Sequence, residues 1–295
     1  MTSVVVAHWI VPSLPSDTIP LPRMDNEPAL ALGPRRIDLG RSEVVWVSGS
    51  GERVLLLHGW GLQPPVFRTT LERLAHRGFE VAAPGMAVVG KRWDLDRAVH
   101  RVDKTLDALG WEDAVVVGYS LGGAVATSFT ASSPGRVRLL ALVNSVGLRI
   151  ERGMLAWALP IARYARTSNL PAMRAFGRNA LRVGGLQNLA DAALYARLAH
   201  LDAEFARVRQ HGVPAVVLWS ANDHLLPVVM GRQIADALGA PIHVVPSADH
   251  DWPIRAPELF ARELDLLLRS ALVTQRRRRR ISARRPKRVG RLDRP

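Results

Sequence analysis

The segment Gly118–Gly122 reads Gly-Tyr-Ser-Leu-Gly and directly follows the apolar run Ala114–Val117. A serine hydroxyl can attack a substrate if the chain lifts it clear of the sheet, which requires a strained reversal at Ser120. Side chains two positions before and two positions after the serine would then collide, and glycine stands at both positions. Residues 123–129 are compatible with a helix, whose first N–H groups favour a developing negative charge. The spacing predicts a nucleophilic serine between a strand and a helix; the alternative is a glycine-rich turn with a solvated serine.

The candidate partners of this serine lie far along the chain. A serine hydroxyl needs a base to take its proton, and the base needs an acid that holds it in the correct tautomer. Asp223 follows the apolar run 215–219 after a short turn, and His250 follows the apolar run 242–245. Both side chains are therefore expected at the carboxyl ends of strands. Their chain order, serine then aspartate then histidine, is one in which such triads occur.

A second glycine-punctuated loop, His58-Gly59-Trp60-Gly61, follows the apolar run Val54–Leu57. Attack on a carbonyl produces an oxyanion, which preorganised N–H donors stabilise by about 3 kcal/mol each. We expect one donor from the backbone of Leu121 and the other from the backbone of Trp60. The alternative is a simple tight turn, but the position of this loop upstream of the serine favours a functional role.

These motifs, together with Pro84-Gly85 and residues 219–223, resemble those of the α/β-hydrolase superfamily. The resemblance is to its small esterase- and lipase-like serine hydrolases with an inserted helical cap, and it spans roughly residues 40–270. It implies that Ser120 is the nucleophile, Asp223 the acid and His250 the base, with Trp60 and Leu121 forming the oxyanion hole. We expect no cofactor.

The chain departs from the family's pattern at two loops. Family members often carry aspartate two residues before Pro84-Gly85 and Gly-x-Ser after it, whereas this chain has Ala82 and Met86-Ala87-Val88. That loop helps to shape the pocket, which weakens substrate inference from relatives. Asp249 stands where a small residue is more common, and it either raises the pKa of His250 or points to water. A metal site in the cluster 249–251 is an alternative, but zinc needs three converging ligands, so we expect no metal.

Strands and helices alternate along most of the chain, which predicts an α/β fold with a mostly parallel central sheet and helices on both faces. Residues 37–144 and 213–274 form the expected α/β-hydrolase core, after an irregular proline-rich segment, 1–36. The short strands 44–47 and 54–57, separated by Ser-Gly-Ser-Gly, are expected to form a hairpin.

Between residues 145 and 212 the alternation stops, and the sequence predicts helices over 154–164, 172–181 and 188–209 without a strand. By the resemblance, this insertion is a helical cap over the active site. The alternative for most of its apolar residues is packing of cap against core. A mostly apolar cap favours a small or acyl-chain hydrophobic substrate.

Four residues are the candidates for the substrate pocket. Met154 and Trp157 belong to the apolar residues of the cap, Trp252 follows the candidate base by two positions, and Tyr119 precedes the serine. Their expected partner is a small hydrophobic molecule.

The net charge of +14 is concentrated at the carboxyl terminus. Residues 275–295 contain eleven lysines or arginines and one acid, so the rest of the chain carries only +4. Such a segment cannot bury a core and is expected to be disordered. One interpretation is weak electrostatic contact with an anionic membrane or nucleic acid. We favour a solvated extension without a dedicated partner, because arginine outnumbers lysine 37 to 3 along the chain, as a GC-rich coding bias would produce.

The composition narrows the possible classes of protein. The chain has no cysteine, which excludes a thiol nucleophile, a thiolate metal site and a disulfide framework. It has no run of 18 apolar residues, and no basic residue precedes its apolar start. Neither a spanning helix nor a secretory signal is therefore expected, and we expect a cytoplasmic protein, with a membrane-peripheral location through the tail as the alternative.

The sequence thus predicts a serine hydrolase that cleaves a carboxylic ester through an acyl-enzyme intermediate. The same triad could instead hydrolyse a C–C bond, a thioester or an amide. Two alternatives come from other classes: a non-catalytic ligand-binding protein of the same fold, and an interaction protein tethered by its arginine-rich tail. No specific protein partner is inferred.

Overall fold

The computed structural model describes residues 33–40, 43–86, 92–150, 174, 177–178, 180–181 and 185–283, with side chains as far as Thr274. The strands in these residues are β1 (Arg35–Gly40), β2 (Glu43–Ser48), β3 (Glu52–Leu57), β4 (Phe79–Pro84), β5 (Ala114–Tyr119), β6 (Val137–Val143), β7 (Ala215–Ser220) and β8 (Ile242–Val245). The α-helices are α1 (Arg68–Ala75), α2 (Leu95–Ala108), α3 (Leu121–Ser132), α4 (Gly185–Leu198), α5 (Asp202–Gln210), α6 (Val228–Leu238), α7 (Trp252–Arg255) and α8 (Pro257–Ala283). Short 3-10 helices span Pro64–Phe67 and Pro134–Arg136.

The described strands join one sheet in the order β1-β2-β4-β3-β5-β6-β7-β8. β2 pairs antiparallel with β1 and with β4, and the remaining pairs are parallel. Parallel strands that follow one another through helices bring their carboxyl ends to one edge of the sheet. The predicted fold class, a mostly parallel sheet with helices on both faces, is confirmed.

Helices cover both faces of the sheet, which explains why its central strands read as continuous apolar runs. In β3, Val54 and Leu56 enter one apolar layer, and Leu55 and Leu57 enter the other. Helices α2, α3, α5 and α6 contribute to the layer of Leu55, whereas α1 and α8 contribute to the layer of Val54. Two packed layers hold the edge of the sheet on which the site is built.

The predicted hairpin of β2 and β3 is wrong, because β4 lies between these strands. β4 pairs antiparallel with β2 and parallel with β3. The loop between β2 and β3 crosses the start of β4, where the Glu52 N–H donates to the Gly78 carbonyl oxygen over 3.2 Å. A Cβ at Gly51 would lie 2.3 Å from that oxygen, so glycine serves a close crossing rather than a tight turn. β2 forms its hairpin with β1, which begins at Arg35, inside the segment predicted to be irregular.

The described part of the segment 145–212 does not pack as a single unit. The predicted helix 154–164 and half of 172–181 lie outside the described residues. The predicted helix 188–209 is two helices, α4 and α5, separated by residues 199–201. In α5, Phe205 and Val208 are fully buried in the core layer, so this helix packs on the sheet domain and not over the site.

The carboxyl-terminal helix extends into the segment that was predicted to be disordered. α8 continues to Ala283, so residues 275–283 are helical rather than disordered. Arginine is a good helix former, and extending a helix that is already docked costs less than starting one. Residues 284–295 lie outside the described residues. None of the described helices is both long enough and apolar enough to cross a membrane.

Candidate active site

Ser120 lies at the turn between β5 and α3, in the strained backbone conformation that the motif predicts. Its φ is 54° and its ψ is −122°, a region that residues with a side chain rarely adopt. A Cβ at Gly118 would lie 2.5 Å from the Cα of Gly123, and a Cβ at Gly122 would lie 2.3 Å from the carbonyl oxygen of Leu57. Both distances are too short for any side chain, so the glycines are required by space.

The structure brings Ser120, His250 and Asp223 together in one chain of hydrogen bonds. His250 Nε2 lies 3.1 Å from Ser120 Oγ, and His250 Nδ1 lies 2.6 Å from Asp223 Oδ2. The three residues follow β5, β8 and β7, so each is held at the same edge of the sheet. This is the geometry in which an imidazole can take the proton of a hydroxyl while a carboxylate fixes its tautomer.

Backbone groups fix the carboxylate of Asp223. Its Oδ1 accepts hydrogen bonds from the N–H groups of Leu225 and Leu226, each over 2.8 Å. Its Oδ2 is then the oxygen that faces His250. Because the side chain of Asp223 is fully buried, these donors replace the water that would otherwise solvate the charge.

The surroundings of His250 raise its pKa above the ordinary value. Burial acts in the opposite direction, because it disfavours the charged imidazolium. The negative charge of Asp223 and its hydrogen bond outweigh burial, and the charges of Asp251 and Asp249 add to them. A base with a raised pKa accepts a proton more readily, but it is inactive over a wider acidic range.

The two predicted oxyanion donors border the same cavity as Ser120. Leu121 is the first residue of α3, so its N–H belongs to the turn that has no carbonyl partner within the helix. Trp60 follows Gly59, where a Cβ would lie 3.0 Å from the Cβ of Ser120. The indole N–H of Trp60 is turned away to the Leu189 carbonyl oxygen on α4, over 2.8 Å.

His58 supports the loop of Trp60, a role that the sequence analysis missed. Its Nε2 accepts the N–H of Met86 over 3.0 Å, so its proton is on Nδ1, which lies 3.0 Å from the Gly59 carbonyl oxygen. Burial, with a smaller contribution from the charge of Arg101, lowers the pKa of His58 to about 4. The signal that could have indicated this role is a histidine directly after a fully buried strand, where a polar ring needs partners.

An apolar cavity opens above Ser120. It is lined by Gly59, Trp60, Leu62, Tyr119, Ser120, Leu121, Val146, Ile150, Ala193, Ala196, Leu225, Leu226 and His250. Ala193 and Ala196 come from helix α4, within the segment predicted to be a cap, one helical turn apart. The charged or titratable side chains in this lining are His250 and Tyr119, so the rest of the cavity suits an uncharged, apolar group.

One of the four predicted pocket residues, Tyr119, lines the cavity. Its hydroxyl donates to the His250 carbonyl oxygen over 3.0 Å, with Asp251 Oδ1 3.3 Å away. Trp252 does not line the cavity: its side chain is buried in the core, with its ring edge-on to Phe260 at 5.2 Å. It begins α7, which turns it inward to the helix layer of α8. Met154 and Trp157 lie outside the described residues.

The acidic residues beside His250 are engaged within their own loop. Asp249 accepts hydrogen bonds from the Asp251 N–H over 3.1 Å and from Arg255 Nη1 over 2.9 Å. Asp251 faces the Tyr119 hydroxyl. Among the residues with described positions, no group of three or more histidine, aspartate or glutamate side chains is arranged to hold a metal ion.

Comparisons with known proteins show the family and the fold of the chain. The model of the alpha/beta hydrolase family matches residues 54–263. The chain is 29% identical over 244 residues to a pimeloyl-(acyl-carrier protein) methyl ester esterase from Chromobacterium violaceum, a match that covers 73% of this chain and 94% of the relative. The solved structure of a bacterial membrane phospholipase A has a TM-score of 0.67 at 19% identity, covering 81% of this chain and 87% of that one. A serine hydrolase involved in carbazole degradation has a TM-score of 0.65 at 20% identity, covering 80% and 98%.

Proposed function

Because the chain belongs to the alpha/beta hydrolase family, we propose that it is a serine hydrolase that cleaves carboxylic esters through an acyl-enzyme intermediate. The observation that carries the proposal is the hydrogen-bonded chain from Ser120 Oγ through His250 to Asp223 Oδ2. A buried histidine between a strained serine and a fixed carboxylate has few purposes other than activating the hydroxyl.

The proposed reaction has two steps. Ser120 Oγ attacks the ester carbonyl carbon, while His250 Nε2 takes the hydroxyl proton and then delivers it to the departing alcohol oxygen. The N–H groups of Trp60 and Leu121 bind the oxyanion. His250 then removes a proton from water, which attacks the acyl carbon and releases the carboxylic acid, and Ser120 recovers its proton.

Two observations favour an ester with an apolar acyl group. The described lining of the cavity is apolar beyond the reacting groups, so among these residues a buried charge on the substrate would find no partner. The relative from Chromobacterium violaceum is named as a methyl ester esterase, which supports the same bond type in this chain. Thioester, amide and C–C bond hydrolysis remain the alternatives on the same triad, and a ligand-binding protein without turnover is the alternative outside catalysis.

Turnover of p-nitrophenyl butyrate by the wild-type protein and by Ser120→Ala tests the proposal. We expect measurable hydrolysis by the wild type and a loss of at least about 10⁴-fold in the variant, because the triad works as a unit. Ser128→Ala is the matched control. Ser128 lies about two turns further along α3, and the variant should hydrolyse the ester at a rate within twofold of the wild type.

A panel that presents one butyryl group as an ester, a thioester and an anilide separates the bond types. Fastest turnover of the thioester or the anilide would remove the ester assignment and keep the serine hydrolase. Absence of turnover on the whole panel, with a folded protein, would favour the ligand-binding alternative.

A further inference from the structure

The second strained residue of the sheet edge is Asn144, directly after β6. Among the residues described, Ser120 and Asn144 are the two non-glycine residues with positive φ, at 54° and 42°. The Asn144 N–H donates to the Leu218 carbonyl oxygen of β7 over 3.1 Å, which fixes this backbone conformation. Strain of this kind persists where the surrounding structure requires it, and it concentrates at functional sites.

The side chain of Asn144 forms a relay with Ser220, the last residue of β7. Asn144 Oδ1 accepts the Ser220 N–H over 2.9 Å, and Asn144 Nδ2 donates to Ser220 Oγ over 2.7 Å. Because Ser220 Oγ accepts that proton, its own proton is directed to the Asp249 carbonyl oxygen, 2.7 Å away. Both side chains are fully buried, so water does not replace these bonds.

The relay ends on the loop that carries His250, and a second residue holds that loop from the other side. Ser220 binds the carbonyl oxygen of Asp249, and the Tyr119 hydroxyl binds the carbonyl oxygen of His250 over 3.0 Å. Asn144 Nδ2 also lies near both carbonyl oxygens, 3.4 Å from that of Asp249 and 3.5 Å from that of His250. The backbone on both sides of the His250 side chain is therefore attached to the ends of β5, β6 and β7.

We propose that Asn144 and Ser220 are positioning residues, whose buried relay holds the His250 loop so that the imidazole bridges Ser120 and Asp223. The inference rests on the proposed role of His250 as the base. The relay has a direction: it needs an amide that donates through Nδ2 and accepts through Oδ1. A carboxylate at position 144 would accept only, and it would take the Ser220 proton away from Asp249.

The experiment compares Ser220→Cys with the wild type. Cysteine has the shape of serine with a somewhat larger terminal atom and is a weak donor, so the bond to Asp249 weakens without a cavity. We expect kcat per folded molecule to fall about tenfold with KM within twofold, since positioning acts on the transition state. We also expect the acidic limb of kcat/KM to move to lower pH, because a looser imidazole loses part of its contact with Asp223.

A readout that does not depend on activity accompanies the kinetics. The pKa of His250, followed by NMR and assigned with His250→Gln, should be lower in Ser220→Cys than in the wild type. Asn144→Gly, which removes the amide without adding a charge and tolerates the positive φ, should move both readouts in the same direction and carries the test if Ser220→Cys does not fold. Ser132→Ala removes an exposed hydroxyl that also donates to a backbone carbonyl, over 3.0 Å, and is the control expected to change nothing.

The outcomes separate this inference from the proposed function. An unchanged pKa of His250 and an unchanged kcat in both variants would overturn the positioning role, whereas turnover lost only in Ser120→Ala would leave the proposed function intact. A lower kcat with an unmoved acidic limb and an unmoved pKa would indicate general damage and would also overturn the role. If the pKa of His250 is lower in Ser220→Cys than in the wild type but the wild type shows no turnover, the result would support the relay and count against the hydrolase.

Discussion

The two sides of the cavity are built in different ways. On one side, Ser120, Asp223 and His250 follow strands of one sheet, and buried hydrogen bonds join their loops. On the other side, helix α4 packs on the core through the buried residues Ala192 and Ala196 and adds polar contacts. The Trp60 indole binds the Leu189 carbonyl over 2.8 Å, and Arg92 binds both carboxylate oxygens of Asp191 over 2.7 Å at the protein surface.

This difference assigns chemistry and substrate choice to separate parts of the molecule. The outer face of α4 exposes Leu186 and Leu194, at 70% and 54%, whereas Asn144 and Ser220 are fully buried. Helix α4 packs on the core but follows no strand of the sheet edge, so its cavity-facing residues can change without moving Ser120, Asp223 or His250. Changes at the sheet edge should therefore affect all substrates equally, and changes on α4 should affect them according to size.

The largest expected effect is at the sheet edge. Asp223→Asn should lower kcat by about 10³- to 10⁴-fold for acetyl, butyryl and octanoyl p-nitrophenyl esters alike, because the amide can stabilise the wrong tautomer of His250. Steady-state kinetics over the three chain lengths measure this. Asp236→Asn, on the exposed side of α6, is the control. A loss that depends strongly on chain length would contradict the separation.

Substitutions on α4 should change the selectivity between substrates of different length. Ala193→Phe fills the cavity from α4 and should lower kcat/KM for the octanoyl ester by about 10- to 100-fold relative to the acetyl ester, because long chains lose their room. Ala190→Phe makes the same substitution at an exposed position of the same helix and should leave the ratio unchanged. Equal losses for both esters in Ala193→Phe would show that α4 affects the catalytic step, and would contradict the separation of substrate choice from catalysis.

At His58, below the site, the expected effect is on stability and not on turnover. Its pKa is about 4 in the folded protein and near 6.5 when unfolded, so between these values the unfolded chain binds a proton that the folded protein excludes. Stability is therefore full above pH 6.5 and falls as the pH drops toward 4, by about 3 kcal/mol from this residue. Urea unfolding at pH 7 and pH 4 should show a correspondingly smaller fall in His58→Gln. An identical pH dependence in the two proteins would show that His58 is not buried neutral.

The sequence was sufficient to predict which residues meet at the sheet edge. Ser120, Asp223 and His250 each follow an apolar run within a few residues, so local pattern and the parallel sheet were enough to bring them together. Asn144 and Ser220 carry no such signal, because an asparagine or serine after a strand is equally common in plain loops. Their relay depends on which strands become neighbours.

Tertiary placement decided the remaining differences. β2 and β3 are adjacent in the sequence but separated in the sheet by β4, which no local pattern reveals. Trp252 is two residues from His250, yet the short helix α7 directs its ring to Phe260 in the core. Ala193 and Ala196 line the cavity. Nothing in the sequence distinguishes them from alanines that pack a helix against a core.

Reaction with a fluorophosphonate, followed by proteolysis and mass spectrometry, tests the central claim most directly, because the reagent forms a covalent bond only with an activated serine. We predict one adduct per chain, on the peptide that contains Ser120, with labelling at least about 10³-fold slower in His250→Ala. No adduct on the folded wild-type protein, an adduct on another serine, or equal labelling rates with and without the imidazole would contradict it.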